Sequence, residues 1–165
     1  MEMLLFQIAG EAYGVDLVDV DEVLHMPTLQ KLPTAPSFIA GILNLRGKLV
    51  PIVDIMERLG IVRPKAPLQI NVNKPSLTPY PQGTRILLTH VQTGGVEQKI
   101  GVIMDSMQGF RIYDDESYRS SVLDVEARLP YVSGHNLGED RLVQRILVRE
   151  LLHSDELRLL QKQEL

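Results

Sequence analysis

Apolar and polar positions alternate along much of this chain. Leu4, Phe6 and Ile8 fall on one side of residues 4–9, the period of a half-buried strand. A Gly10-Glu11 turn follows. Alternation resumes through residues 13–17 and 18–26, with Val18, Val20 and Val23 on one side and Asp16, Asp19, Asp21 and Glu22 interspersed. The simplest reading of these four carboxylates is a solvated strand face. Residues 42–45 and 49–53 are short runs rich in β-branched residues, which suit a pleated surface, and Arg46-Gly47-Lys48 joins them. Two such runs around a short glycine-containing connection predict a β-hairpin with Arg46 at or beside its tip and Asn44 just before it.

Further strands are expected at residues 85–91 and 99–104, joined by a Thr93-Gly94-Gly95 turn, and at 110–112. A second hairpin-like unit is expected from residues 129–133 and 142–147. Pro27, Pro33 and Pro36 make residues 28–37 a loop. Pro64, Pro67, Pro75, Pro79 and Pro81 mark residues 63–83 as a long loop or linker, with room for a strand at 68–72. Residues 117–128 fit no one element. One helical turn over 55–60 stops at Gly60. The best helix is 149–163, with Leu151, Leu152, Leu159 and Leu160 at roughly helical spacing; Ser154-Asp155-Glu156 offers a fresh start within it.

Composition narrows the function. The chain has 165 residues, 44% of them hydrophobic, enough for one domain with a real core. A net charge of −4 without a basic stripe, and only 5% aromatic residues, argue against nucleic-acid binding. The absence of cysteine excludes disulfides and thiolate chemistry. The start lacks the basic region of a signal peptide, and no apolar run reaches membrane-spanning length. His25, His90, His135 and His153 lack metal-ligand spacing, so no metal or other cofactor is expected. Ser120, Ser121 and Ser133 form no nucleophile elbow. Gly41 to Lys48 imitates a phosphate-binding loop, but five residues separate its glycines and Leu49, not Ser or Thr, follows the lysine.

The halves resemble each other. Phe38-Ile39-Ala40-Gly41 aligns with Tyr131-Val132-Ser133-Gly134, an offset of 134 − 41 = 93, and Tyr13-Gly14-Val15 with Ile100-Gly101-Val102, an offset of 101 − 14 = 87. In the second copy Asn44, Arg46, Pro51 and Asp54 become Leu137, Glu139, Gln144 and Leu147. A purely structural need for the hairpin motif would act on both copies, so its presence in one points to a specific role there. Local packing differences would produce the same asymmetry.

The stretch Gly41-Ile42-Leu43-Asn44-Leu45-Arg46-Gly47-Lys48-Leu49-Val50-Pro51-Ile52-Val53-Asp54 resembles the signature of the CheW-like domains, coupling proteins of bacterial chemosensory systems. The resemblance implies a mainly β fold: two side-by-side five-stranded SH3-like β-barrels with short helices and a C-terminal helix. Residues 1–165 would form a single such domain, with the repeat in about 14–60 and 101–152. It implies a non-catalytic scaffold, cytoplasmic and recruited to membrane-associated receptor arrays without inserting in the bilayer. Its partners would be the cytoplasmic tip of a chemoreceptor, the regulatory domain of a CheA-type histidine kinase, and other CheW-like domains in array rings. A small barrel that binds nucleic acid and an enzyme with a dispersed active site are the alternatives.

The resemblance also assigns roles. Arg46 and Glu22 would pair on the receptor-facing surface, with Asn44 beside them; read alone, Arg46 is a solvated turn arginine. Val20, Val102 and Met107 would line a groove for the receptor's helical tip, or else belong to the core. Gly41, Leu45, Gly47, Pro51 and Asp54 would be the structural part of the motif. Asp54 is expected to cap the turn after its strand rather than act as catalyst or phosphoacceptor, and Asp105 likewise. The long proline-rich loop and Gln144-Arg145, where apolar residues are expected, depart from the family pattern. They suggest altered kinase or ring contacts and an alternative chemosensory pathway.

Overall fold

The structure is a computed structural model that describes residues 2–61, 80, 83–93, 95–112, 118–119, 132–138 and 141–163. The proline-rich segment apart from Tyr80 and Gly83, its strand expected at 68–72, most of 117–128, and residues 129–131 lie outside them.

Strands dominate, in two sheets. The first half supplies β1 (Glu2–Ile8), β2 (Glu11–Asp16), β3 (Glu22–His25), β4 (Ile39–Leu45), β5 (Lys48–Asp54) and the short helix α1 (Ile55–Arg58). The second supplies β6 (Arg85–Thr93), β7 (Val96–Met104), β8 (Ser106–Ile112), the two-residue β9 (Tyr118–Arg119), β10 (Val132–Gly138), β11 (Arg141–Ile146) and the helix α2 (Ser154–Gln163). One sheet has the order β8-β1-β2-β11-β10-β9, the other β3-β6-β7-β5-β4.

The halves exchange strands. β1 and β2 pair with each other, then join β8 and, in parallel, β11. β6 and β7 do the same with β3 and β5. The parallel contact aligns Gly14 with Arg145 in one sheet and Gly101 with Ile52 in the other. These are matching pairs, since 14 + 87 = 101 and 52 + 93 = 145 are the two repeat offsets. A Cβ on Gly14 would collide with the Met3 side chain, and one on Gly101 with Ile52 and Ile86. The glycine shared by the two aligned blocks therefore sits at the same tight crossing in each sheet.

Burial explains the composition of the strands. Ile86, Leu88, Ile103, Val50 and Ile52 form a core inside the second sheet. Leu87, Val91, Ile100, Val102 and Met104, on the opposite face, pack with Leu4, Phe6, Ile8, Tyr13 and Val15 of the first sheet. Strands buried on both faces read as continuous apolar runs rather than alternation.

Several expected elements differ: the strand expected at 129–133 is β10 at Val132–Gly138, and the one expected at 110–112 is the longer β8, Ser106–Ile112. The alternation over 18–26 is not one strand: Leu17–Asp19 is a 3₁₀ turn and β3 starts at Glu22. The chain there leaves the first sheet for the second, and a crossing segment cannot stay in either ladder. The C-terminal helix starts at Ser154, not Arg149, after a 3₁₀ turn at Val148–Glu150. The backbone N–H of His153 donates to Glu156 Oε1 at 2.9 Å, the side-chain-to-N-cap half of a capping box. Leu151 and Leu152 just before it are buried in the shared core.

Candidate functional site

The site is built on the β4–β5 hairpin. Leu45 faces Lys48, leaving Arg46 and Gly47 as a two-residue loop. Both have positive φ, +53° and +83°, the signature of a type I′ turn, whose twist matches the flanking strands. Asparagine-glycine is the usual occupant of such a turn; an arginine in its first place carries a steric cost that glycine avoids. The Gly47 N–H donates to Asn44 Oδ1 at 3.0 Å.

Other parts of the motif hold the base of the hairpin. A Cβ on Gly41 would lie 2.6 Å from the Gln30 carbonyl oxygen. That close approach allows the bridge between Gln30 and Ile42, with N–H···O distances of 3.0 and 2.7 Å. Leu45 packs against the inner core of the second sheet. β5 meets β7 only from Ile52 onward, just past Pro51, which has no N–H to contribute. Asp54 is the N-cap of α1 and accepts from the Met56 N–H at 3.1 Å. Asp105 lies at the bend between β7 and β8, directly after its strand.

β3 and β4 are at opposite ends of their sheet's strand order, yet the sheet curls so that they approach. Glu22 on β3 places a carboxylate oxygen 3.8 Å from the Arg46 guanidinium. Arg46 is 78% exposed and Glu22 41%, so the pair leaves most of the guanidinium facing outward.

The remaining expected site residues do not join this pair. Val102 is 1% exposed, in the middle of β7 and aligned with Val53 and Leu87. Val102 lies buried in the shared core and has no surface exposed to a partner in this structure. Val20 is half-buried and packs against the same core. Met107 is exposed on β8 of the other sheet, as are Phe110 and Ile112. It borders a cleft of about 550 Å³ that Gln7, Gly10, Arg85 and Asp105 also line.

The acidic residues before the hairpin are not a free solvated face. Asp16 takes both arms of Arg145 from β11, with Nε at 2.9 Å from Oδ1. Asp19 meets Arg149 Nε at 2.8 Å. Asp21 contacts His90 of β6, and Glu22 contacts Arg46. Each carboxylate of the crossing segment is thus tied to a basic group from a different element. Backbone contacts add to this: Thr89 Oγ1 donates to the Asp19 carbonyl at 2.6 Å, and the Asp21 N–H to the Leu88 carbonyl at 2.8 Å.

Arg145 and Gln144, which depart from the family pattern, both make contacts within the fold. Gln144 hydrogen-bonds Tyr13, its neighbour across the parallel contact. Burial raises the Tyr13 phenol above its ordinary pKa of 10.0, nearby Glu11 raises it further, and the Gln144 bond offsets part of this.

Sequence patterning gives no hint of a contact between Arg58 and Phe38. The Arg58 guanidinium lies 4.2 Å from the centre of the Phe38 ring and makes two bonds to Glu156 of α2. No local signal marks such an arrangement, because the carboxylate is 98 positions away. Among the described residues, no group of three or more His, Asp or Glu side chains could hold a metal ion, and no helix is long and apolar enough to cross a membrane.

Two strand-exchanged sheets share one core, and the polar β4–β5 hairpin stands on the second of them. The sequence profile described as CheW-like domain matches residues 2–156, and the chain belongs to that family. It is 24% identical over 159 residues to the chemotaxis protein CheW of Klebsiella aerogenes, covering 96% of this chain and 85% of that protein. It is 25% identical over 130 residues to protein PilI of Pseudomonas aeruginosa, covering 78% and 63%. The crystal structure of the scaffolding protein TtCheW from Thermoanaerobacter tengcongensis superposes with a TM-score of 0.75, at 27% identity and 94% coverage of both chains. The fold is accordingly the pair of SH3-like β-barrels of this family, one five-stranded and the other extended by the two-residue β9. The family is one of non-catalytic scaffolds in chemotaxis signalling.

Proposed function

We propose that this chain couples chemoreceptors to a CheA-type histidine kinase. It bridges the cytoplasmic tip of the receptor and the kinase's regulatory domain at membrane-associated arrays, where other CheW-like domains join it in rings. It works by shifting the population of receptor–kinase states, without chemistry of its own. The observation that carries this reading is Arg46: an arginine kept in a left-handed turn, 78% exposed and paired with Glu22. An exposed pair of this kind contributes roughly 0–1 kcal/mol to folding. Its use lies in presenting a planar, directional donor to a partner, which a lysine would not reproduce. Glu22 and Arg46 form the receptor face, with Val20 as the flanking apolar candidate and Met107, on the other sheet, as a separate exposed one.

The test is a pull-down of the purified chain with a receptor cytoplasmic tip and a kinase regulatory domain as separate baits, with Arg46→Glu in parallel. The expected result is that the wild type binds both baits, while the variant still binds the kinase domain and no longer binds the receptor tip. Binding to neither would sink the coupling reading.

A further inference from the structure

We propose that Asn44 is a positioning residue for Arg46, not a partner contact. Its side-chain carbonyl holds the left-handed turn that aims the guanidinium, and it influences coupling through that turn. The inference deepens the receptor-face reading and rests on it for its functional part.

The geometry is local. In a two-residue hairpin loop the N–H of the second loop residue is outside the strand ladder, so it needs another acceptor or water. For Gly47 that acceptor is Asn44 Oδ1, at 3.0 Å. The bond spans Arg46 and closes a ring around the non-glycine residue of this turn, which sits at positive φ. The chain contains a natural comparison. Ala9 and Gly10 form the β1–β2 loop between Ile8 and Glu11 with the same φ signs, +50° and +82°. Ala9 and Arg46 are the only non-glycine residues with positive φ among the described residues. Gln7 occupies the place equivalent to Asn44 in that loop, and among the described residues no side-chain bond to Gly10 accompanies it. A hairpin turn alone therefore does not require the asparagine. Of the two turns, the asparagine stands in the one that carries a long charged side chain. In the second copy of the repeat the matching residue is Leu137, which has no acceptor, and Arg46 is matched by Glu139. Acceptor and arginine are absent together.

The test uses the full chain. Amide hydrogen exchange of Gly47 is measured in the wild type, Asn44→Ala and Asn44→Asp, with Gly10 as internal reference. The same three proteins are titrated with a chemoreceptor cytoplasmic-tip fragment. Asn44→Ala is expected to speed Gly47 exchange about five-fold, the equivalent of one net hydrogen bond, to leave Gly10 unchanged, and to weaken receptor binding. Asn44→Asp keeps an acceptor and is expected to restore both. Unchanged Gly47 exchange in Asn44→Ala would overturn the proposal. So would an Asn44→Asp protein that keeps Gly47 protected yet binds as poorly as Asn44→Ala, since the amide nitrogen would then be touching the receptor. If the wild type binds no receptor fragment, the coupling reading fails, and the exchange comparison alone decides whether Asn44 holds the turn.

Discussion

Arg58, at the end of α1, and Glu156, in the first turn of α2, meet through two hydrogen bonds of 2.8 and 2.7 Å. Their side chains are only 11% and 18% exposed, and the Phe38 ring lies under the guanidinium. The same carboxylate takes the His153 N–H. One residue thus starts the C-terminal helix and fastens it to the first half of the chain. Glu156→Ala is expected to cost about 3 kcal/mol, because it removes two charge-assisted hydrogen bonds from a largely buried guanidinium. Urea denaturation followed by circular dichroism would measure this. An Arg58→Met/Glu156→Leu double variant should recover part of the loss; no recovery would mean that the charge pair itself stabilises the fold.

Arg46 behaves in the opposite way. Arg46→Gly removes the strain at φ +53° and is expected to leave stability unchanged or raise it by up to about 1 kcal/mol. The same variant should lose receptor capture. A marked fall in its denaturation midpoint would show that Arg46 holds the fold together.

Val102 and Met107, which the family resemblance assigns to one groove, should separate. Val102→Ala opens a hole in the shared core and is expected to cost roughly 2 kcal/mol. Met107→Ala, at an exposed position, should change stability by less than about 0.5 kcal/mol. Equal costs in thermal or urea melts would contradict the placement of Val102.

The ion pairs of the crossing segment should rank by burial. Asp16 and Arg145 are 14% and 23% exposed, Glu22 and Arg46 41% and 78%. Asp16→Ala is expected to cost about 2 kcal/mol, with the buried-pair figure reduced for partial solvent access. Glu22→Ala should cost less than about 1 kcal/mol. The reverse order in denaturation experiments would refute the ranking.

Tyr13 makes stability sensitive to alkaline pH. Its folded pKa is raised above 10.0 by burial and by Glu11. Below about pH 10 the phenol is neutral in both states and its contribution is complete. As pH rises further the unfolded chain ionises first, and the contribution is lost through the folded pKa. Tyr13→Phe should show a shallower loss of stability in that range. Identical profiles for wild type and variant would show that Tyr13 is not responsible.

The sequence by itself determined what depends on near neighbours. The hairpin was legible because Gly47 and two β-branched runs lie within a dozen residues, and its turn is closed from Asn44, three positions away. Asp54 was legible as a cap because the N–H it accepts is two residues on. The motif that carries the family lies in one unbroken stretch, so it is readable without any knowledge of tertiary packing. The repeat offsets of 87 and 93 were visible too, but not that they mark strands exchanged between two sheets. The tertiary structure alone decided the partners of Asp16, Asp19 and Asp21, which looked like a wet strand face. Asp16 and Arg145 are 129 positions apart, and alternation says only which side a residue faces, not what waits there. The same limit left Val102 undecided between groove and core. An apolar residue on a central strand looks the same in sequence whether the second sheet covers it or a partner would. Only the packing of β7 between two layers of side chains put it inside.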